Sequence, residues 1–236
     1  MASSRASTRF LTGISLVLGL SVAACSYQGD IDDPLFSYLN GDDIRAACVL
    51  GSPARYRLIY NADYDEQLRS YEVTGTPGGG AMLTARVLGA SGLVVNRISF
   101  ADLMGWARWT KSETTLSAEQ LGSLDAALER SGAFDPAPAG LRLFSKETYW
   151  VSNLCRDGVF SFNAWRYPSQ RYYALLFHEV LFSLDETGVA VREPVAVPLG
   201  ASARASVPRR QQSIDERGNY FNVKVGDNGL TDRVAF

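Results

Sequence analysis

The chain has 236 residues with 23 basic and 25 acidic side chains, a formal net charge of −2; 46% of it is hydrophobic and 11% aromatic. That near balance excludes the strongly basic surface that nucleic-acid binding needs, while the apolar content lets about 200 residues bury one sizeable core. The single histidine, His178, excludes multi-histidine metal sites of the H-E-x-x-H kind, because His178-Glu179 has no second histidine four residues on.

Arg5 and Arg9 precede an apolar run, Phe10 to Leu20, interrupted only by Thr12, Gly13, Ser15 and Gly19. As a helix this run reaches about 16 Å, roughly half a bilayer core, so it is too short to span. Small residues follow it, as in a cleaved signal peptide. Val22-Ala23-Ala24-Cys25 resembles the lipobox of bacterial lipoproteins, where small residues precede a cysteine that is acylated and becomes the new N-terminus; the family more often has Leu where this chain has Val22. The alternative is an ordinary secretory signal cleaved before Cys25, since Val22-x-Ala24 also fits a peptidase site. The resemblance implies that residues 1–24 are removed and that Cys25 is lipidated. It also implies a protein facing the periplasm from a membrane, the outer one given Ser26 rather than Asp after the cysteine. Several acyl chains at about 0.8 kcal/mol per buried methylene make a stable anchor. Cleavage there takes two of the 23 basic residues, Arg5 and Arg9, and none of the 25 acidic ones, for a net charge of −4.

With Cys25 set aside, Cys48 and Cys155 remain of the 3 cysteines. An even pair in an oxidising compartment is expected to form a disulfide. The alternative is a reactive thiol, although neither lies in a C-x-x-C or beside the histidine.

Residues 25–40, with Asp30, Asp32, Asp33 and Pro34, read as a polar spacer; the acids lack the glycine spacing of an EF-hand. A single domain is expected over 41–194. Asp42 or Asp43 is placed to cap a short helix through Cys48. Arg55–Asn61 and Gln67–Thr74 are strand-like, and the alternation of Tyr56, Leu58 and Tyr60 with Arg55, Arg57 and Ile59 suits a sheet covered on one side. Gly75 to Gly80 reads as a loop, without the Gly-Lys-Ser/Thr ending of a P-loop. Ala81–Leu88 and Leu93–Ile98 read as further strands. Ser99–Thr115 fits either helical turns through Phe100, Leu103, Trp106 and Trp109 or a strand from Ala107; its tryptophans suit a core pair or a sugar-stacking platform.

Ser117–Ser131 carries a helix signature: a Ser117/Gln120 capping box, a Leu116/Leu121 staple, a Leu121–Leu124–Leu128 stripe and a Gly132 stop. Lys146–Arg166 reads as an aromatic hairpin turning at Asp157-Gly158. Ser169–Glu186 reads as a second helix, with Tyr173, Leu176, Phe177, Val180, Leu181 and Leu184 on its buried arc and Arg171, His178, Asp185 and Glu186 opposite. Leu175 and Phe182 fall on that outer stripe, as a docking patch or under another segment. Together, Leu116 to Pro194 resembles small envelope lipoprotein domains without an assigned activity, in which a capped helix, an aromatic hairpin and a second helix follow in order; the resemblance carries over no functional residues. Thr187–Gly218, rich in Pro, Ala, Ser and Arg, reads as an extended linker, and residues 195–236, beyond the domain, as that linker's continuation and a short C-terminal strand. There Arg204, Arg209, Arg210 and Arg217 are either solvated or set against anionic lipid or cell-wall polymer.

No catalytic set stands out. No elbow motif presents a serine to His178, and Lys111, Lys146 and Lys224 have no serine three residues before them. Glu147 and Asp157 are the first carboxylates to consider for glycosidic cleavage. The expected fold is α+β, an antiparallel sheet of about five to seven strands with two main helices packed on one face. The expected function is that of a lipid-anchored, non-enzymatic binding or scaffolding protein of the cell envelope. It would have no metal or cofactor, the membrane and an envelope protein as partners, and no nucleic acid. The alternative is carbohydrate binding or hydrolysis at the hairpin. Candidate surface residues are Trp150, Trp165, Leu175, His178 and Phe182.

Overall fold

The computed structural model describes residues 34–64, 66–89, 109–197 and 221–235. Cys25, the Leu93–Ile98 strand, Ser99–Arg108 and the arginines Arg204, Arg209, Arg210 and Arg217 lie outside them. No helix among the described residues is long and apolar enough to cross a membrane.

The architecture is α+β. The strands β1 (Arg55–Ala62), β2 (Gln67–Gly75), β3 (Ala81–Gly89), β4 (Thr110–Leu116), β6 (Thr148–Arg156) and β7 (Val159–Arg166) form one antiparallel sheet in the order β4-β3-β2-β1-β6-β7. A second sheet of three strands, β5 (Arg142–Phe144), β8 (Phe221–Val225) and β9 (Leu230–Ala235), runs in the order β5-β8-β9. The six-strand count lies within the expected range. Asp157-Gly158 turns β6 into β7 with φ of 54° and 76°, the positive pair that a two-residue hairpin of right-handed twist requires. Trp150 then faces Trp165, and Arg156 faces Val159.

Both faces of the large sheet are buried, unlike the one-sided sheet expected from β1. Successive side chains alternate between faces, and each parity joins its own cluster. Tyr56, Leu58, Tyr60, Tyr71, Trp150 and Trp165 share one with Leu124 and Leu128 of α3 (Ala118–Arg130) and Phe177 and Leu181 of α5 (Phe177–Ser183). Ile59, Val151, Phe162 and Ala164 share the other with Leu35 and Leu39 of α1 (Pro34–Asn40) and Phe221, Val223 and Val225 of β8. The arginine that made the second face look solvated, Arg57, is buried too. Its guanidinium takes Asp43 in a bidentate pair at 2.8 and 3.0 Å, reaches Glu72 at 3.1 Å and stacks 3.9 Å over the Tyr38 ring. Paired and stacked, the charge is accommodated inside.

Several boundaries move. The spacer expected to end at Asn40 is helical from Pro34, because Leu35 and Leu39 supply the apolar face that its polar start conceals. Gly41 follows at φ 68°, and a Cβ there would lie 2.4 Å from the Asn153 side chain. α2 (Asp42–Ala47) then starts without a side-chain cap, so Asp42 and Asp43 occupy its first turn instead. α3 keeps its capping box, with Gln120 N donating to Ser117 Oγ at 3.2 Å and Ser117 N donating to Gln120 Oε1 at 2.9 Å. The single helix expected over Ser169–Glu186 is two, α4 (Gln170–Tyr173) and α5, separated by Ala174–Leu176. The C-terminal strand is part of the fold as the β8–β9 hairpin.

Two covalent and polar devices close the structure. Cys48 and Cys155 form a disulfide across 107 residues of sequence. On the outer edge of β7, Asn228 behaves like a strand residue: Phe162 N donates to its Oδ1 at 2.8 Å, and its Nδ2 donates to Phe160 O at 3.2 Å. A covered edge cannot template pairing with another chain.

Candidate functional site

The break after α4 rotates everything beyond it relative to a continuous helix. Tyr173 and Leu176, expected on the buried arc, are exposed at 62% and 38%, while Leu175, expected on the outer stripe, is 3% exposed in the core. The Asp185 side chain, expected outside, is turned inward with 4% exposure: its Oδ2 accepts from Arg69 Nη1 at 2.5 Å and from Tyr71 Oη at 2.7 Å. Leu175 therefore leaves the candidate surface, while His178 and Phe182 stay half-buried at one cleft.

The tryptophans also leave it. Trp150 and Trp165 are 0% and 1% exposed, because both belong to the core cluster that includes Leu124, Leu128, Phe177 and Leu181. No sugar can stack on them in this arrangement. Glu147 and Asp157 sit beyond opposite ends of β6, about 30 Å apart at 3.3 Å per residue. A glycosidic acid pair needs roughly 5–9.5 Å.

The cleft is about 240 Å³ in volume. Tyr60 of β1 and Tyr172 of α4 form its inner wall, His178, Glu179 and Phe182 of α5 one side, and Val191, Glu193 and Pro194 the other. The aromatic rings form one packed set. Phe182 lies 5.8 Å from Tyr60, 5.8 Å from Trp150 and 5.9 Å from the His178 ring, centroid to centroid, and Trp150 underlies Tyr60 at 4.9 Å.

The far wall is extended chain that β2 holds in place. Arg69, fully buried, donates to Val189 O at 2.6 Å and to Gln67 Oε1 at 2.9 Å as well as to Asp185. Gln67 Nε2 donates to Ala190 O at 2.9 Å and its Oε1 accepts from Arg192 N at 3.0 Å; Tyr60 Oη donates to Arg192 O at 2.7 Å. The stretch expected to begin a loose linker is therefore fixed through Arg192. Charge-assisted bonds from a buried arginine to carbonyls are among the stronger ones available.

Burial pushes the Tyr172 hydroxyl up to about 12, with the neighbouring Tyr60 and Trp150 polar groups pulling the other way. Burial raises Tyr60 as well, reinforced by Tyr172 and the Glu193 carboxylate. Burial lowers His178, with Glu179 pulling the other way. At neutral pH the cleft thus presents protonated phenols and a neutral imidazole, with the Glu179 and Glu193 side chains at its rim. His178 Nδ1 is buried without a hydrogen-bond partner, so a ligand donor or acceptor would satisfy it. The arrangement suits binding: an apolar aromatic wall with a few convergent polar groups. Among the described residues, no group of three or more His, Cys, Asp or Glu is placed to hold a metal ion.

No protein-family model, curated protein or solved structure matches the chain. His178 and Phe182 are legible as surface candidates in the sequence, whereas Tyr60, Tyr172 and Glu193 are not. Tyr60 looked like one more alternating strand residue. The Pro-Ala-Arg composition after Thr187 concealed that its backbone would be gripped by Gln67 and Arg69.

Proposed function

We propose that this protein is a lipid-anchored binding protein of the cell envelope, tethered through Cys25 and meeting its partner at the Tyr60–Phe182 cleft without covalent chemistry. One observation carries the reading: a cleft wall held rigid by a buried, fully engaged ionic network faces a half-buried aromatic and an unsatisfied imidazole. A preorganised wall lowers the ordering cost of association. The tether rests on Val22-Ala23-Ala24-Cys25, and the Cys48–Cys155 disulfide suits an oxidising compartment on the outer side of the inner membrane. In this reading α3 and α5 form the layer on the Trp150 face, and the cleft opens where α5 meets the gripped chain.

The test has two arms in the native host. Cys25→Ser should move the protein from the membrane fraction to the soluble fraction; retention in the membrane would refute the tether. Phe182→Asp should abolish recovery of a stoichiometric envelope protein after cross-linking and purification while the purified variant keeps the parent's far-UV spectrum and a cooperative melting transition. Undiminished recovery would refute the cleft.

A further inference from the structure

A second cleft, of about 220 Å³, lies across α4 from the first, where the turn at Pro138–Leu141 meets the end of β7. Its walls are apolar, from Pro138, Leu141, Ala164 and Trp165, and two guanidinium groups stand at it, Arg166 and Arg171.

Neither guanidinium holds a carboxylate as closely as the protein's buried arginines do. Arg57 and Arg69 each hold a carboxylate at 3.0 Å or closer. Arg171 is half-buried and donates to a neutral acceptor, Asn163 Oδ1, at 2.9 Å. Asp135 acts on it only from beyond ion-pair distance, and burial holds its pKa below the usual arginine value. Arg166 reaches Glu147 at 4.0 Å and Arg142 O at 3.5 Å, the limits of an ion pair and a hydrogen bond.

Arg171 is nonetheless oriented. Asn163 commits its whole amide: Nδ2 donates to Gly132 O at 2.9 Å and Asp135 O at 3.0 Å, while Oδ1 accepts from Ala164 N at 2.9 Å as well as from Arg171. The Arg171 guanidinium lies 5.8 Å from the Trp165 ring, and the buried Trp165 Nε1 has no hydrogen-bond partner. A guanidinium has five donors. A rigid neutral group therefore aims a half-desolvated cation at an apolar cleft and leaves most of those donors unused. A buried charge without a countercharge is costly, and an anion arriving in the cleft would remove that cost. The volume is below the roughly 300–1,000 Å³ of clefts for drug-sized ligands, so the ligand, or the part of it that enters, is a few carbons long.

We propose that this cleft binds a small organic carboxylate, its apolar chain against Pro138 and Leu141 and its carboxylate on Arg171, with Arg166 as the second donor. Fork-to-fork pairing with a carboxylate is what guanidinium geometry favours.

The experiment titrates the full chain with hexanoate, hexanamide and inorganic phosphate, following indole N–H resonances by NMR. Hexanoate should saturate and bind at least tenfold tighter than hexanamide. Arg171→Gln should weaken hexanoate about tenfold, Arg166→Gln about threefold, and Phe182→Asp should leave it unchanged. A hexapeptide ending in norleucine, tested beside free hexanoate, separates a peptide carboxylate from a free acid; tighter binding of either identifies the source and supports the carboxylate assignment. Equal affinity for hexanamide, or phosphate binding tighter than hexanoate, would overturn it. So would an Arg166→Gln protein, whose exposed side chain makes misfolding no explanation, that binds hexanoate as tightly as the parent.

Discussion

Replacing Asp185 by alanine should destabilise the protein more than any surface change, and the reason is Arg69. The guanidinium is fully buried and Asp185 is the carboxylate facing it, at 2.5 Å with side-chain exposures of 0% and 4%. Removing one partner of a buried pair strands the other, which costs about 3–5 kcal/mol; losing the acceptor of Tyr71 Oη falls within that same network, so it is not added again. Urea unfolding at pH 7 followed by tryptophan fluorescence should show a loss of at least about 3 kcal/mol at an unchanged slope. The pH dependence carries a sign. Burial alone would raise the Asp185 pKa, but hydrogen bonds from Thr187 and Tyr71 and the Arg69 charge outweigh it and hold the carboxyl below its ordinary value. Its stabilising contribution is therefore present above the unfolded-state pKa of about 3.9 and disappears as pH falls through the lower folded value. The parent–variant gap should hold constant from neutrality to about pH 5 and narrow in more acid solution. A loss below about 1 kcal/mol, the range of exposed pairs, would show that Asp185 is not the buried countercharge of Arg69.

Cys48→Ser should cost about 2–5 kcal/mol, because the bridge closes a loop of 107 residues, and reductant should lower the parent's melting temperature to that of the variant; identical melting with and without reductant would count against it. Gly158→Ala should destabilise by about 1–3 kcal/mol, since the turn holds φ at 76° and a Cβ would sit 2.5 Å from the Leu50 backbone nitrogen; calorimetry reads the change directly. Burial pushes Tyr38 and Tyr172 up to about 12, which favours their protonated forms. Stability should stay level up to the unfolded tyrosine pKa of about 10 and fall as pH rises toward 12, and phenolate absorbance should show these two tyrosines titrating late together with Tyr56, Tyr60, Tyr71 and Tyr149, which burial raises as well.

The sequence made the local elements legible. The capping box located α3 to within a residue, Asp157-Gly158 located the hairpin, and the residual cysteine pair located the disulfide. It concealed tertiary coverage. Nothing in the alternation of β1 says that Arg57 will meet Asp43 and Tyr38 rather than water, or that the polar stretch before Asn40 ends in a helix whose Leu35 and Leu39 cover the second face. The site was half legible for a geometric reason. A helical projection through Ser169–Glu186 assumes one axis, and the interruption at Ala174–Leu176 exchanged Leu175 for Leu176 at the surface while leaving His178 and Phe182 near it. The cleft's other wall comes from residues whose composition reads as linker, and only the reach of Gln67, Arg69 and Tyr60 across the sheet face holds them there.

The most direct measurement is photo-cross-linking in living cells with p-benzoylphenylalanine in place of Phe182, beside the same substitution at Met82, an exposed position on β3 away from the cleft. A docking cleft at Tyr60–Phe182 requires one discrete adduct from position 182, absent from position 82. Adducts of the same pattern from both positions, or none from position 182, would contradict it.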